Sequence, residues 1–177
     1  MEVSNISRNV DDPKSLLKRF YELQTERVQT YKMFEEGFQV YLNSAPLFNF
    51  PLYRQLVHEI TQTFLKISQE IVEIGTSLRD VHHLHTIASN ISKIQEREQN
   101  KLDLTAGLQL SRQHNKDHPD DVKFQIEITE TQANLMEVVE NINEILEDIK
   151  YESEDLYLEN YKEQANSEAD DPTKIPK

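Results

Sequence analysis

The chain has no cysteine and no tryptophan, and only three glycines in 177 residues. Without cysteine there is no disulfide framework and no thiolate metal site, and the composition suits a reducing compartment. The scarcity of glycine favours long helices, where each interior glycine costs about 1 kcal/mol. No uninterrupted apolar run approaches the roughly 18 residues that a membrane span needs. The opening MEVSNISRNV lacks the charged start and apolar core of a secretory signal. The expectation is a soluble intracellular protein, nuclear or cytoplasmic, with no membrane association.

Basic residues are also in short supply, 19 Lys and Arg against 32 Asp and Glu, for a net charge of -13. Between Glu137 and Asp171 the acids recur as Glu140, Glu144, Glu147, Asp148, Glu152, Glu154, Asp155, Glu159, Glu163, Glu168 and Asp170, against only Lys150 and Lys162. Such a surface repels a phosphate backbone, so direct binding to duplex DNA is not expected. On a helix these carboxylates read most simply as a solvated face.

What the chain does have is helical periodicity. Asp12-Pro13 is a helix start, a capping carboxylate followed by proline where its missing N–H is harmless. The run that follows reaches about Asn43, roughly 45 Å at 1.5 Å per residue. Pro46 and Pro51 then interrupt it within NSAPLFNFP, a connector with unusually large apolar residues. The second run is the most regular: Tyr53, Val57, Ile60, Phe64, Ile67, Ile71, Ile74, Leu78 and Val81 alternate gaps of four and three. That is the 3.5-residue repeat of helices packed knobs-into-holes, against another helix or a second copy of the chain.

The register stumbles at RDVHHLHT, residues 79 to 86, which is read as a turn. A third helix uses Leu84, Ile87, Ile91, Ile94, Leu102, Leu104 or Thr105, and Leu108, with the charged QEREQNK where its seam should continue. At NKDHPDD, Asp117 or His118 is expected to cap and Pro119 to open the fourth helix. That helix follows Ile128, Leu135, Val138 or Val139, Ile142, Ile145 or Leu146, Ile149 and Leu156, and fades by about Lys162. The chain is thus expected to be all-α: four long helices in an elongated antiparallel helical bundle or coiled coil. Residues 12–162 form one domain, with a disordered N-terminus over 1–11 and a disordered acidic tail over 163–177.

Catalytic signals are absent. His82, His83 and His85 crowd the turn and His114 and His118 lie four apart, but neither group has the convergent, separated ligands of a metal site. A di-iron bundle needs Glu-x-x-His pairs, whereas Gln55, His82 and Ser111 precede His58, His85 and His114 by three. There is no Gly-rich phosphate loop and no nucleophile elbow. A non-enzyme without cofactor or metal is expected, working through other proteins.

Gln24 and Arg27 are the anomaly. They fall in the seam formed by Leu17, Phe20, Tyr31, Phe34, Phe38 and Tyr41. In one reading Arg27 reaches a carboxylate such as Glu70, Glu140 or Glu144 on a neighbouring helix and Gln24 bonds across the bundle, fixing register. In the other, Gln24, Arg27, Tyr31, Glu35 and Phe38 form a surface for another protein, extended by Phe48, Phe50 and Tyr53 of the connector.

The segment LLKRFYELQTERVQTYKMFEEGFQVYL, residues 16 to 42, with YRQLVHEITQTF at 53 to 64, IQEREQNKLDLTAGLQL at 94 to 110 and DHPDD at 117 to 121, resembles the Required for excision 1-B domain family. The resemblance runs over about residues 14 to 155, and ERVQTY followed by FEEGF is its most distinctive part. It implies a small helical protein linked to DNA repair, in a nuclear context, with no catalytic residues to carry over. An accessory or adaptor factor in excision repair is the expectation. A coiled-coil subunit of a cytoskeletal or trafficking assembly is the rival, because the same heptads serve both.

Overall fold

The computed structural model describes the backbone of residues 11–169 and side chains as far as Leu158. The expected disordered segments fall largely outside these residues. Four helices make up the described chain, α1 (Pro13–Asn43), α2 (Phe50–Asp80), α3 (His85–Asp117) and α4 (Val122–Ala169), with no strand among the described residues. Short connectors reverse the chain at each step, so α1 packs on α2, α2 on α3 and α3 on α4 as an antiparallel bundle.

The helix ends differ in detail from the sequence reading. Pro13 opens α1, but the Asp12 side chain makes no capping bond; its backbone oxygen accepts from Leu16 N at 3.1 Å. Asn49 is the cap that does form, its side chain accepting from Leu52 N ahead of α2. Pro119 lies in the turn and does not open α4, which starts at Val122 with the Asp121 carboxylate accepting from Lys123 N at 3.0 Å. The helix also runs past Lys162 to Ala169, so residues 163–169, expected in the tail, are helical. EQANSEA has no apolar period but is rich in helix-favouring Glu, Gln and Ala, and propensity acts where periodicity is silent.

The turn at residues 81 to 84 forms as expected, with His83 at a φ of 56°, a left-handed conformation that His tolerates better than most residues. Near this end all four helices meet in one apolar cluster: Leu17, Phe20 and Leu23 of α1, Ile67, Ile71, Ile74 and Leu78 of α2, Ile87, Ile91 and Ile94 of α3, and Ile145 and Ile149 of α4. Each such side chain contributes about 1.5 to 3 kcal/mol by leaving water. The regular α2 seam is therefore filled within the chain. Its last member, Val81, caps the helix and is exposed. In α4 the inner valine is Val138, 8% exposed against 37% for Val139. The acids from Glu137 to Asp155 are all exposed, as expected of a solvated face, and those from Glu159 onward lie outside the described side chains.

Towards the α1–α2 connector a second, smaller cluster forms from Phe34, Ile60 and Phe64, with Tyr31, Leu56, Val57 and Leu102 against it. Among the described residues, none of α4 belongs to this cluster. Between the two apolar regions lies a belt of buried polar groups that includes Gln24 and Arg27.

Candidate interaction surface

The belt answers the question raised by Arg27. Its guanidinium is 4% exposed and donates to Gln24 Oε1 at 2.8 Å and to Gln95 Oε1 at 2.7 Å. Gln95 Nε2 in turn donates to Ser68 Oγ at 2.9 Å and to the Ser68 carbonyl at 3.1 Å. Three helices are thereby joined through one arginine. The carboxylates proposed from sequence are not its partners: Glu70 is taken by Arg19, whose Nε and Nη2 donate to it at 2.5 and 2.9 Å, and Glu140 and Glu144 are exposed on α4.

Glu98 is the carboxylate whose charge acts on Arg27. It occupies the α3 seam position where the sequence shows QEREQNK, is 7% exposed, and no protein group donates to its Oε2. Burial pushes the Arg27 guanidinium below its ordinary value, and the Glu98 charge only partly restores it. Lys101 is lowered for the same first reason and sits 4.0 Å above the Tyr31 ring. A cleft of about 120 Å³ between α2 and α3 has Arg27, Tyr31, Ser68, Gln95 and Glu98 in its wall.

Gln24 and Arg27 thus serve the interior, and so does Phe38, which is buried under the Arg112 guanidinium at 4.9 Å. All three side chains are turned away from solvent, Arg27 and Phe38 in contacts between α1 and α3 and Gln24 against Arg27. Glu35 accepts from Arg112 Nη1 at 2.7 and 3.0 Å and from Gln39 at 2.8 Å, so its charge is engaged at home. Tyr31 is half-buried, donating to the Glu98 carbonyl at 3.3 Å.

The connector residues form a different arrangement. Ser44 donates to the Tyr41 carbonyl from both its N–H and its hydroxyl and ends α1, and the Ala45–Pro46 peptide is cis. Tyr41 stacks on Tyr53 at 4.4 Å with the rings 13° from parallel, and Phe48 folds against Tyr41 at 5.3 Å. The Tyr53 hydroxyl donates to Gln109 Oε1 at 2.7 Å, and burial raises its pKa to about 12. Phe48 and Tyr53 are therefore the half-buried underside of the connector. Of the predicted set, Glu35 keeps part of its side chain in solvent and Phe50 is exposed.

Around it stand residues the sequence reading did not single out. Leu47 is 86% exposed, Val40 69%, and Leu52 is also exposed. Between α1 and α2 runs a groove of about 360 Å³ lined chiefly by Gly37, Val40, Tyr41, Leu52, Tyr53 and Leu56. Gly37 gives the groove its floor: a side chain there would collide with Leu56, which lies across the bare helix backbone. A lone glycine in a 31-residue helix was the available signal.

The histidines show no convergence. His82 Nε2 lies 2.9 Å from the Asp11 carbonyl, and His114 and His118 both pack on Phe124. Among the described residues no three His, Asp or Glu side chains are grouped to hold a metal ion, and no helix is long and apolar enough to cross a membrane.

A sequence model of the family described as DNA repair REX1-B matches residues 15–112. The chain belongs to the DNA repair REX1-B family. A Required for excision 1-B domain-containing protein of Bos taurus is 37% identical over 97 residues, 55% of this chain and 54% of its own length. Its namesake in Mus musculus is 33% identical over 96 residues, 54% and 57% of the two lengths. The chain thus spans just over half the length of the curated relatives it matches. No solved structure matches it. The REX1-B match covers α1, α2 and nearly all of α3, including the whole Arg27 belt and the connector surface, and leaves α4 outside.

Proposed function

We propose that this REX1-B chain is a non-catalytic adaptor in DNA repair, which docks another protein on the apolar surface at its α1–α2 connector. The observation that carries the reading is an apolar groove with the exposed Val40 and Leu52 in its walls, next in sequence to the exposed Leu47 and Phe50 of the connector, on a chain that is otherwise strongly acidic. Contiguous apolar surface of this kind marks association sites. The family supplies the pathway, and the acidic charge argues that contact with damaged DNA passes through the partner. The protein works inside the cell, in the nucleus when repair is under way, and needs no metal or cofactor.

The test is crosslinked capture from separated nuclear and cytosolic extracts after DNA damage, with wild type beside Leu47→Ser/Phe50→Ser and Gln24→Ala/Arg27→Ala at matched folded stability. Wild type is expected to hold repair factors from the nuclear fraction. The connector variant loses them, and the belt variant retains them. Retention by the connector variant moves the docking face elsewhere. Capture of cytoskeletal or vesicle proteins instead, from cytosol alone, replaces the repair role with that of a tether.

A further inference from the structure

We infer that the α1–α2 groove takes an amphipathic helix of its partner, apolar on the docked face and carrying Lys or Arg along its margins. This rests on the adaptor reading and specifies what docks. Leu56 fills the space over Gly37, and the groove of about 360 Å³ that remains beside it, with Val40 and Leu52 in its walls, has room for a large aliphatic or aromatic side chain, the kind of anchor that carries most of an interface's energy.

The form of the occupant follows from the banks. Both are α-helices, whose N–H and C=O groups are bonded within the helix, so an extended peptide finds no ladder to join. Its own backbone would lose water without gaining partners. A helix arrives with those bonds already made and presents anchors at i and i+3 or i+4.

The charge of the occupant follows from the rim. Glu59 lines the groove from α2, and Glu36 stands exposed on α1 next in sequence to Gly37. Glu36 has a 3.8 Å contact with the solvated Lys32, and the Glu59 carboxylate accepts from the Gln55 amide at 3.2 Å, so both retain capacity for a cation. With a net charge of -13 behind them, a basic helix is drawn in and an acidic one repelled. The same charge disfavours a second copy of this chain as the occupant.

A displayed library of short peptides, helical and extended, acidic and basic, panned on the full chain tests this. The expected winners are helical and net positive, with Leu, Phe or Met at i and i+3 or i+4. Made as labelled peptides, they should bind at least tenfold more weakly to Val40→Ser/Leu52→Ser and to Glu36→Lys/Glu59→Lys. These positions are exposed, so circular dichroism and melting of both variants should match the parent. The inference is overturned by acidic or extended winners, by affinities that neither variant changes, by an empty selection, or by sedimentation showing the groove filled by a second copy. If selection is empty while repair-factor capture still depends on Leu47 and Phe50, the helix is wrong and the adaptor stands. Loss of that dependence removes the adaptor reading as well.

Discussion

At the scale of the residue, Arg27 and Glu98 are the most exacting pair. Both are buried, they sense each other's charge, yet the arginine's direct bonds go to two amides. Arg27→Ala strands Gln24 and Gln95 and takes from Glu98 one of the two buried cations that face it, and should cost about 3 kcal/mol in urea denaturation. Arg27→Met/Glu98→Met removes both charges together and should return stability to within about 1 kcal/mol of the parent. The cost of the double variant should be uniqueness: its amide NMR spectrum should broaden at α1 and α3 as the helices slip. A double variant as unstable as Arg27→Ala would show that the belt holds the fold by energy and not by register.

Sequence alone placed Arg27 on a seam but not its partners. Gln95 and Ser68 carry no periodic signal, and Glu98 sits in a stretch whose Glu96 and Arg97 face water. An apolar pattern locates a core by what it repeats. A polar contact between helices repeats nothing, and its residues look like any other surface residues until the helices are docked.

At the scale of the element, the four helices were legible because proline and heptads mark them independently. α1 and α2 end within a few residues of where the sequence places them. α4 was less legible at both ends, since Pro119 can open a helix or sit in a turn and propensity extended the helix beyond its apolar stripe. Only the stripe bears weight: Val138, Ile142, Ile145 and Ile149 are buried, and Leu156 is the last side chain described against the core. From Glu159 to Ala169 the sequence offers a core only Tyr161 and two alanines. A chain stopped after Leu158 should therefore melt within about 2 °C of the parent, a shift well under 1 kcal/mol. One stopped after Asp121 uncovers Leu17, Phe20 and Ile94 and should bind a hydrophobic dye and associate in sedimentation. That comparison matters because α4 lies outside the matched family span while completing the core of the part inside it.

At the scale of the whole molecule, burial makes the bundle sensitive to alkali. Tyr21, Tyr31 and Tyr53 all have hydroxyls raised first by desolvation, Tyr53 to about 12. In the unfolded chain they ionise near pH 10. Their contribution is therefore fully present below about pH 10 and lost as pH rises towards the folded values. Lys101 and Arg27 act the other way, because their depressed folded pKa values relieve a cost as pH climbs towards 10.5 and 12.5, but they are two groups against three. The urea midpoint should fall from about pH 9.5 to about 11.5, and Tyr53→Phe should flatten that fall. An unchanged slope in the variant would place the alkaline transition on the other tyrosines.

The division of the core into a four-helix cluster and a smaller one without α4 has a consequence for how the protein breathes. Amides around Leu17, Ile71, Ile94 and Ile149 should exchange with solvent deuterium only through global unfolding, and those around Val40, Leu52 and Leu56 through smaller, more frequent openings. The docking end would then be the fast-exchanging end, and a bound partner should slow it by hundreds of fold while leaving the far cluster's rates, already set by global stability, to rise in protection only by the same binding free energy. The protein would behave as a rigid handle with a compliant grip.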